Sequence, residues 1–221
     1  MFNLKKLVLD LLFPIECLGC GQPKIWLCEF CRQQIKINFL SRAHLSSRSL
    51  SGIFVAADYH QPTLLKAIHH FKYNFIADLG VILAGILIEF LKNQIEKSDF
   101  FNFDLIAAVP LTKKRKLWRG FNQSEILAKT VAINFNWTYS SGLLIKKYQT
   151  KPQVGLSAQQ RLMNITGAFK LDNQAKVKGK KILLIDDVMT TGATLSECAK
   201  VLRQAGAKEV WGLVIASDQD S

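Results

Sequence analysis

Apolar residues recur along this chain with two different periods, and the switching between them predicts the architecture. Runs at 53–59, 104–109, 140–146 and 209–216, together with Ile182-Leu183-Leu184-Ile185, have the length and character of buried strands. Between them the spacing is helical. Leu64, Leu65, Ile68 and Phe71 share one face of 62–73, and Ile126, Leu127, Thr130 and Val131 share one side of 123–135. Leu195, Cys198, Ala199 and Leu202 do the same in a helix starting near Thr194, where Cys198 reads as core packing. The apolar run within 81–91 predicts a further buried helix, because a bilayer needs about 20 such residues and Glu89 breaks the run. Strands alternating with helices predict an α/β fold: a largely parallel, doubly wound sheet with helices on both faces.

The N-terminal part follows other rules. Leu4, Leu7, Val8, Leu11 and Leu12 fall on one helical face, so an amphipathic helix is expected in residues 1–13. Lys5 and Lys6 ahead of apolar residues imitate a signal peptide, but Asp10 interrupts the run and no small-residue cleavage site follows. No membrane insertion is expected, and the expected location is cytoplasmic. The Ser-rich stretch 41–52 reads as a linker between a small module, 1–40, and a main domain, 53–221.

That module contains Cys17, Cys20, Cys28 and Cys31, two C-x-x-C pairs separated by seven residues. Each pair can grip one ion from a tight turn, and two pairs complete a tetrahedral thiolate site for structural Zn²⁺, a small zinc-ribbon-like arrangement. Gly19 and Gly21 suit the knuckle. Disulfides or a redox C-x-x-C are the competing readings; a reducing compartment and a segment too small to fold unaided favour the metal. With four sulfurs in place the ion has no open position for catalysis. Its expected work is folding, or presenting Trp26, Phe30 and Arg32 to a partner.

Composition adds the nature of the partner. Of 221 residues, 29 are basic and 17 acidic, a net charge of +12 with a pI near 9.6. Polyanions are therefore expected, either pyrophosphate or nucleic acid, and charge alone does not choose.

The most informative string starts at Ile182. An apolar strand gives way to Asp186 and Asp187, then to Thr190, Thr191, Gly192, Ala193 and Thr194 at a helix start. Gly192 permits close backbone approach, helix-start amides attract an anion, and the threonine hydroxyls add donors, so the turn fits a phosphate. Two carboxylates would repel that phosphate and need another ligand. Vicinal sugar hydroxyls or Mg²⁺ would serve. The plain alternative is a solvated strand end followed by a Thr194–Glu197 capping box. A second basic string, Pro110, Leu111, Thr112, Lys113, Lys114, Arg115, Lys116 and then Arg119, follows the 104–109 strand. Placed there as a loop it would receive pyrophosphate, and Lys72 after Phe71 would approach the same region.

The acid pair with its TTGAT turn resembles the phosphoribosyl pyrophosphate (PRPP) motif of phosphoribosyltransferases. The four cysteines, VPL, RGFNQSEILA and IDDVMTTGAT in this order are similar to the ComF (competence protein F) family, across nearly the whole chain. Ala108 departs from the PVPL that family members often carry, and Asn74 stands where glycine is common. The resemblance implies a type I phosphoribosyltransferase-like fold and PRPP bound with Mg²⁺. Thr190–Thr194 would hold its 5′-phosphate, Asp186 and Asp187 its ribose, and Pro110, Leu111, Lys113, Arg115 and Arg119 its pyrophosphate. It also implies a mobile lid at 148–165, in which Lys151 and Arg161 would neutralise the departing pyrophosphate. Asn164, Gly167, Ala168 and Phe169 match the segment that follows. The implied activity is phosphoribosyl transfer to an unidentified acceptor in natural transformation. The rival is a non-catalytic, PRPP-sensing adaptor that binds single-stranded DNA through its charge and through Trp26 and Trp118, with a helicase-like partner. The lysines at 176, 178, 180 and 181 fit either reading, or a solvated turn.

Overall fold

A computed structural model describes residues 14–39, 42–43, 49–148, 164–172 and 176–218. The expected N-terminal helix and most of the expected lid, with Lys151 and Arg161, lie outside the described residues. In chain order the elements are α1 (Glu29–Gln33), β1 (Arg42–Ala43), β2 (Gly52–Asp58), α2 (Pro62–Tyr73) and α3 (Asp78–Lys97). A short 3₁₀ turn (Asp99–Phe101) leads to β3 (Leu105–Ala108), α4 (Lys113–Arg119), α5 (Gln123–Phe135) and β4 (Leu144–Lys146). Then come β5 (Phe169–Leu171), β6 (Lys181–Met189), α6 (Ala193–Gln204) and β7 (Glu209–Ser217).

The main sheet has the order β1-β2-β7-β6-β3, with β2, β7, β6 and β3 parallel and the two-residue β1 antiparallel at one edge. Side chains alternate across it. Leu183 and Ile185 of β6 join Phe54, Ile106, Leu213 and the buried faces of α2, α3 and α5 in one cluster. Ile182 and Leu184 join Ile53, Ala107, Val214 and the buried face of α6 in the other. Continuous apolar strands are what a sheet covered on both sides requires. Burying each such Leu, Ile or Phe stabilises the fold by about 1.5–3 kcal/mol before entropy is counted.

The cysteine segment belongs to the first cluster, since Cys17, Leu27, Cys28, Cys31 and Ile35 pack with it. Gln61, just before α2, fixes the segment in place: its Oε1 accepts the Lys36 amide at 2.7 Å and its Nε2 donates to the Lys36 carbonyl at 2.9 Å. Among the described residues, no helix is long and apolar enough to cross a membrane.

Two expectations need correction. The 140–146 run is a strand only at Leu144–Lys146, and it pairs antiparallel with β5 in a separate two-stranded sheet. Tyr139 makes only an isolated parallel bridge to Ile106 at the main sheet's edge. The Gly and two serines at 140–142 turn the chain out of the sheet, which apolar content downstream concealed. The basic string after β3 is also not a loop, because Lys113–Arg119 is the helix α4, N-capped by the Thr112 hydroxyl, which accepts the Arg115 amide.

Candidate functional site

Strands β3 and β6 are neighbours, yet the helices that follow them lie on opposite faces: α5 in the first cluster, α6 in the second. A crevice opens where chains diverge in this way, at the carboxyl ends of the strands. Here it opens because β3 stops early. Its last pair is Ala108 with Ile185, and Val109 N–H still reaches the Ile185 carbonyl at 3.0 Å before the chain leaves. Strand β6 continues beside β7 alone, with Asp186 opposite Val214 and Met189 opposite Ser217. The acid pair therefore sits inside the strand, which runs four residues past Ile185 to Met189.

Successive strand residues face opposite ways, so the two carboxylates have different surroundings. The Asp186 Oδ1 accepts from the Ser124 hydroxyl, at the start of α5, at 2.7 Å. It also accepts the Asp187 amide at 2.9 Å. Burial, and after it the Asp187 charge, push the Asp186 carboxyl up to about 7. Asp187 is buried and meets the Lys72 ammonium from the last turn of α2 at 3.0 Å. Burial opposes the Lys72 charge, but the Asp187 carboxylate more than offsets it, and the lysine pKa lies above its ordinary value. The sequence only marked Lys72, after Phe71, as a candidate to approach this region, without proof from spacing; Ser124 had no signal beyond its place in the RGFNQSEILA string.

After Met189 the turn narrows. Gly192 takes a left-handed backbone (φ 70°) that L side chains rarely adopt, and α6 starts at the next residue. Asp186, Thr190, Thr191, Gly192, Ala193 and Thr194 line a small cavity of about 40 Å³ at this helix start. The capping box does not form: the N-cap is Gly192, and Glu197 is turned to accept the Gly167 amide at 2.7 Å. Glu197 thereby ties the segment ahead of β5 to α6, a structural use of the Gly167 position.

The basic residues expected to face pyrophosphate divide. Lys113 and Arg115 are exposed on α4, whereas Arg119 is buried. Its Nη1 donates to Gln123 Oε1 at 3.0 Å, and its Nε is buried with no hydrogen-bond partner. No carboxylate among the described residues forms an ion pair with Arg119. Burial, then the Arg115 charge, hold its pKa below the ordinary value, and the Asp187 charge acts the other way. Pro110 and Leu111 are half-buried and, with Lys113, Asn122, Tyr139 and Lys146, line a cavity of about 290 Å³ beside the crevice.

At the other end of α2 lies the cysteine cluster. The four Sγ atoms of Cys17, Cys20, Cys28 and Cys31 fall within 4.8 Å of one another, with Cys20 and Cys28 at 3.7 Å. Four sulfurs held tetrahedrally at about 2.3 Å from one ion stand about 3.8 Å apart, so the cluster fits Zn²⁺. The Cys28 amide donates to the Cys17 sulfur at 3.3 Å, the Cys31 amide to the Cys28 sulfur at 3.5 Å. Such amides stabilise thiolates: although burial raises the Cys17 pKa, the amides of Cys28, Cys20 and Gly19 bring it down to about 6. A Cβ on Gly19 would stand 2.6 Å from the Cys31 sulfur, so only glycine lets the knuckle close. The residues expected to meet a partner here are differently placed. Trp26 is half-buried against the core, Arg32 pairs with Glu29 and Glu89, and only Phe30, 68% exposed, projects outward.

The chain is similar to known proteins. A family model for the phosphoribosyl transferase domain matches residues 122–220. The chain is 31% identical over 163 residues to DNA utilization protein YhgH of Escherichia coli K12, covering 73% of this chain and 70% of that protein. It is 28% identical over 227 residues to competence protein F of Haemophilus influenzae, covering 92% of this chain and 98% of that protein. Competence protein ComFC of Streptococcus pneumoniae is 32% identical over 139 residues, covering 63% of this chain and 57% of that protein.

Proposed function

Because the chain belongs to the ComF family of proteins with a phosphoribosyltransferase domain, we propose that its crevice binds PRPP and transfers the phosphoribosyl group to an acceptor. The observation that carries this reading is the convergence of an acid pair, a threonine-lined helix start and a buried Arg119 that pairs with no carboxylate among the described residues, at one divergence of the sheet. An arginine buried without an anion is costly, and a ligand's pyrophosphate would supply the missing charge. In this reading the Thr190–Thr194 amides and hydroxyls take the 5′-phosphate. Asp186 and Asp187 accept from the vicinal ribose hydroxyls. Arg119, with the exposed Lys113 and Arg115 beyond it, faces the pyrophosphate.

Transfer breaks the bond between the anomeric carbon and pyrophosphate oxygen, whose electrons leave with pyrophosphate, and forms a bond from the acceptor, which loses a proton. Mg²⁺ bound to the diphosphate would neutralise the departing charge. The names of two relatives, competence protein F and DNA utilization protein, support a role for this site in the handling of DNA.

The test is calorimetric titration with PRPP, with and without Mg²⁺, on the wild type and Asp187→Ala, followed by assay of pyrophosphate release with nitrogen acceptors. Binding lost in the variant supports the reading, and no binding by the wild type ends it.

A second reading, a non-catalytic adaptor for single-stranded DNA, draws on α4. Lys113, Lys114 and Arg115 are exposed there beside Trp118, which is 67% exposed and meets the Phe75 ring edge-on at 4.9 Å. Salt-sensitive DNA binding that survives Asp187→Ala, with no turnover on any acceptor, would favour it.

A further inference from the structure

We propose that Lys72 is the built-in counter-cation of the acid pair, holding the place on Asp187 that a divalent ion would need, so that these carboxylates bind sugar hydroxyls and not Mg²⁺. This rests on the ribose-phosphate reading of the crevice and assigns one of the two ligands that an acid pair there could take.

Lys72 comes from α2, outside the 122–220 segment that matches the phosphoribosyl transferase domain. Its Nζ lies 3.0 Å from the Asp187 Oδ1, with the two side chains only 20% and 12% exposed. The same oxygen accepts the Val188 amide at 2.6 Å. On Asp186 the Oδ1 is committed to the Ser124 hydroxyl and the Asp187 amide. One oxygen of each carboxylate is thus saturated by donors, and the Asp187 charge is already balanced. Mg²⁺ demands near-octahedral oxygen ligation at about 2.0–2.1 Å. Brought onto Asp187, it would set two positive charges against the ammonium, with the buried Arg119 also within electrostatic range of that carboxylate. Sugar hydroxyls carry no charge and meet no such repulsion.

The lysine is also fixed in place. Leu64, Ala67, Ile68 and Phe71 bury the inner face of α2 completely, and Gln61 anchors its start to Lys36. The helix cannot withdraw Lys72 without opening the core. Among the described residues, the other charged or titratable groups that interact with Lys72 or Asp187 are Asp186, Arg119, Tyr59 and Tyr73, with Asp218 acting on Tyr59. No second cation among them pairs directly with Asp187. Lys72 is therefore a positioning residue: it holds Asp187 oriented as an acceptor, and leaves Mg²⁺ to arrive on the diphosphate.

The decisive experiment uses the zinc-loaded full chain and Mn²⁺ alone, with free Mn²⁺ read by electron paramagnetic resonance. The wild type and Lys72→Arg should show no Mn²⁺ site that Asp187→Asn removes. Lys72→Met should gain one, and the double variant Lys72→Met/Asp187→Asn should lose it. A purely structural lysine would not produce that pattern. In parallel, metal-free binding of ribose 5-phosphate should fall about tenfold or more in Lys72→Met and be largely kept in Lys72→Arg.

A wild-type Mn²⁺ site abolished by Asp187→Asn overturns the proposal whatever the variants do, including the case in which Lys72→Met does not fold. So does a folded Lys72→Met that changes neither readout. A wild type that binds neither ribose 5-phosphate nor PRPP would instead remove the ribose-phosphate reading, and the Mn²⁺ comparison would still judge Lys72.

Discussion

All four thiols of the cysteine cluster come from the 15 residues between Cys17 and Cys31, whereas the crevice draws on Lys72, Arg119, Ser124, Asp186, Asp187 and the turn to Thr194. The first site is made by a local turn whose geometry the spacing dictates. The second exists only where α2, α4, α5 and β6 have been brought together by the sheet. A local site of this kind is tied to stability, because three of its four cysteines, Cys17, Cys28 and Cys31, are also core residues. A convergent one gathers groups that are held at some cost to stability: a half-buried ion pair, an arginine buried without a carboxylate partner among the described residues, a carboxyl that resists ionisation.

The largest effect should come from breaking the local site. Gly19→Ala drives a methyl into the Cys31 sulfur, and Cys28→Ser removes a ligand that also lies in the core. Either should abolish one bound Zn²⁺ per chain by metal analysis and lower Tm by about 10 °C or more.

Next comes Asp187→Asn. Binding of PRPP, followed by calorimetry, should weaken by about a hundredfold, the loss of charge-assisted hydrogen bonds to two hydroxyls. The fold should lose only about 1–2 kcal/mol, from leaving Lys72 without its partner, and Lys72→Met in the same chain should recover much of that. A Tm fall as large as that of Gly19→Ala would erase the contrast between the two sites.

A pH series sharpens the contrast further. Burial, and then the Asp187 charge, raise Asp186 to about 7 in the folded protein, against about 3.9 for an unperturbed aspartate. Between those values the folded state binds more protons than the unfolded one, so this group makes stability fall as pH rises from about 4 to about 7. Asp186→Asn should therefore match the wild type at pH 4 and exceed it increasingly up to pH 8, as followed by Tm. The smallest effect is expected at Trp118, 67% exposed. Trp118→Ala should change stability by less than about 0.5 kcal/mol, while weakening single-stranded DNA binding if α4 is that surface.

Much of the fold was legible because periodicity responds to burial. The spacing of Leu64, Ile68 and Phe71 marked α2 at 62–73, and 123–135 marked α5, because each helix buries one stripe against the sheet. The 140–146 run misled because a sheet edge and a separate hairpin share the same apolar content, and only pairing partners distinguish them. The basic string after β3 misled in the opposite way. Its charges suggested a solvated loop, but Lys and Arg are good helix formers and Thr112 caps the start.

By itself, the sequence determined what depends on neighbours along the chain: the cysteine spacing, the strand-to-turn string at Asp186–Thr194 and the alternation of periods that sets the fold class. Tertiary structure alone decided which charges meet. Lys72 lies 115 residues before Asp187, and Ser124 lies 62 before Asp186. No local periodicity spans such distances, because those contacts follow from where β3 ends and on which face each helix packs. The same geometry sorted Arg119 into the crevice and left Lys113 and Arg115 in water, although all three share one seven-residue helix.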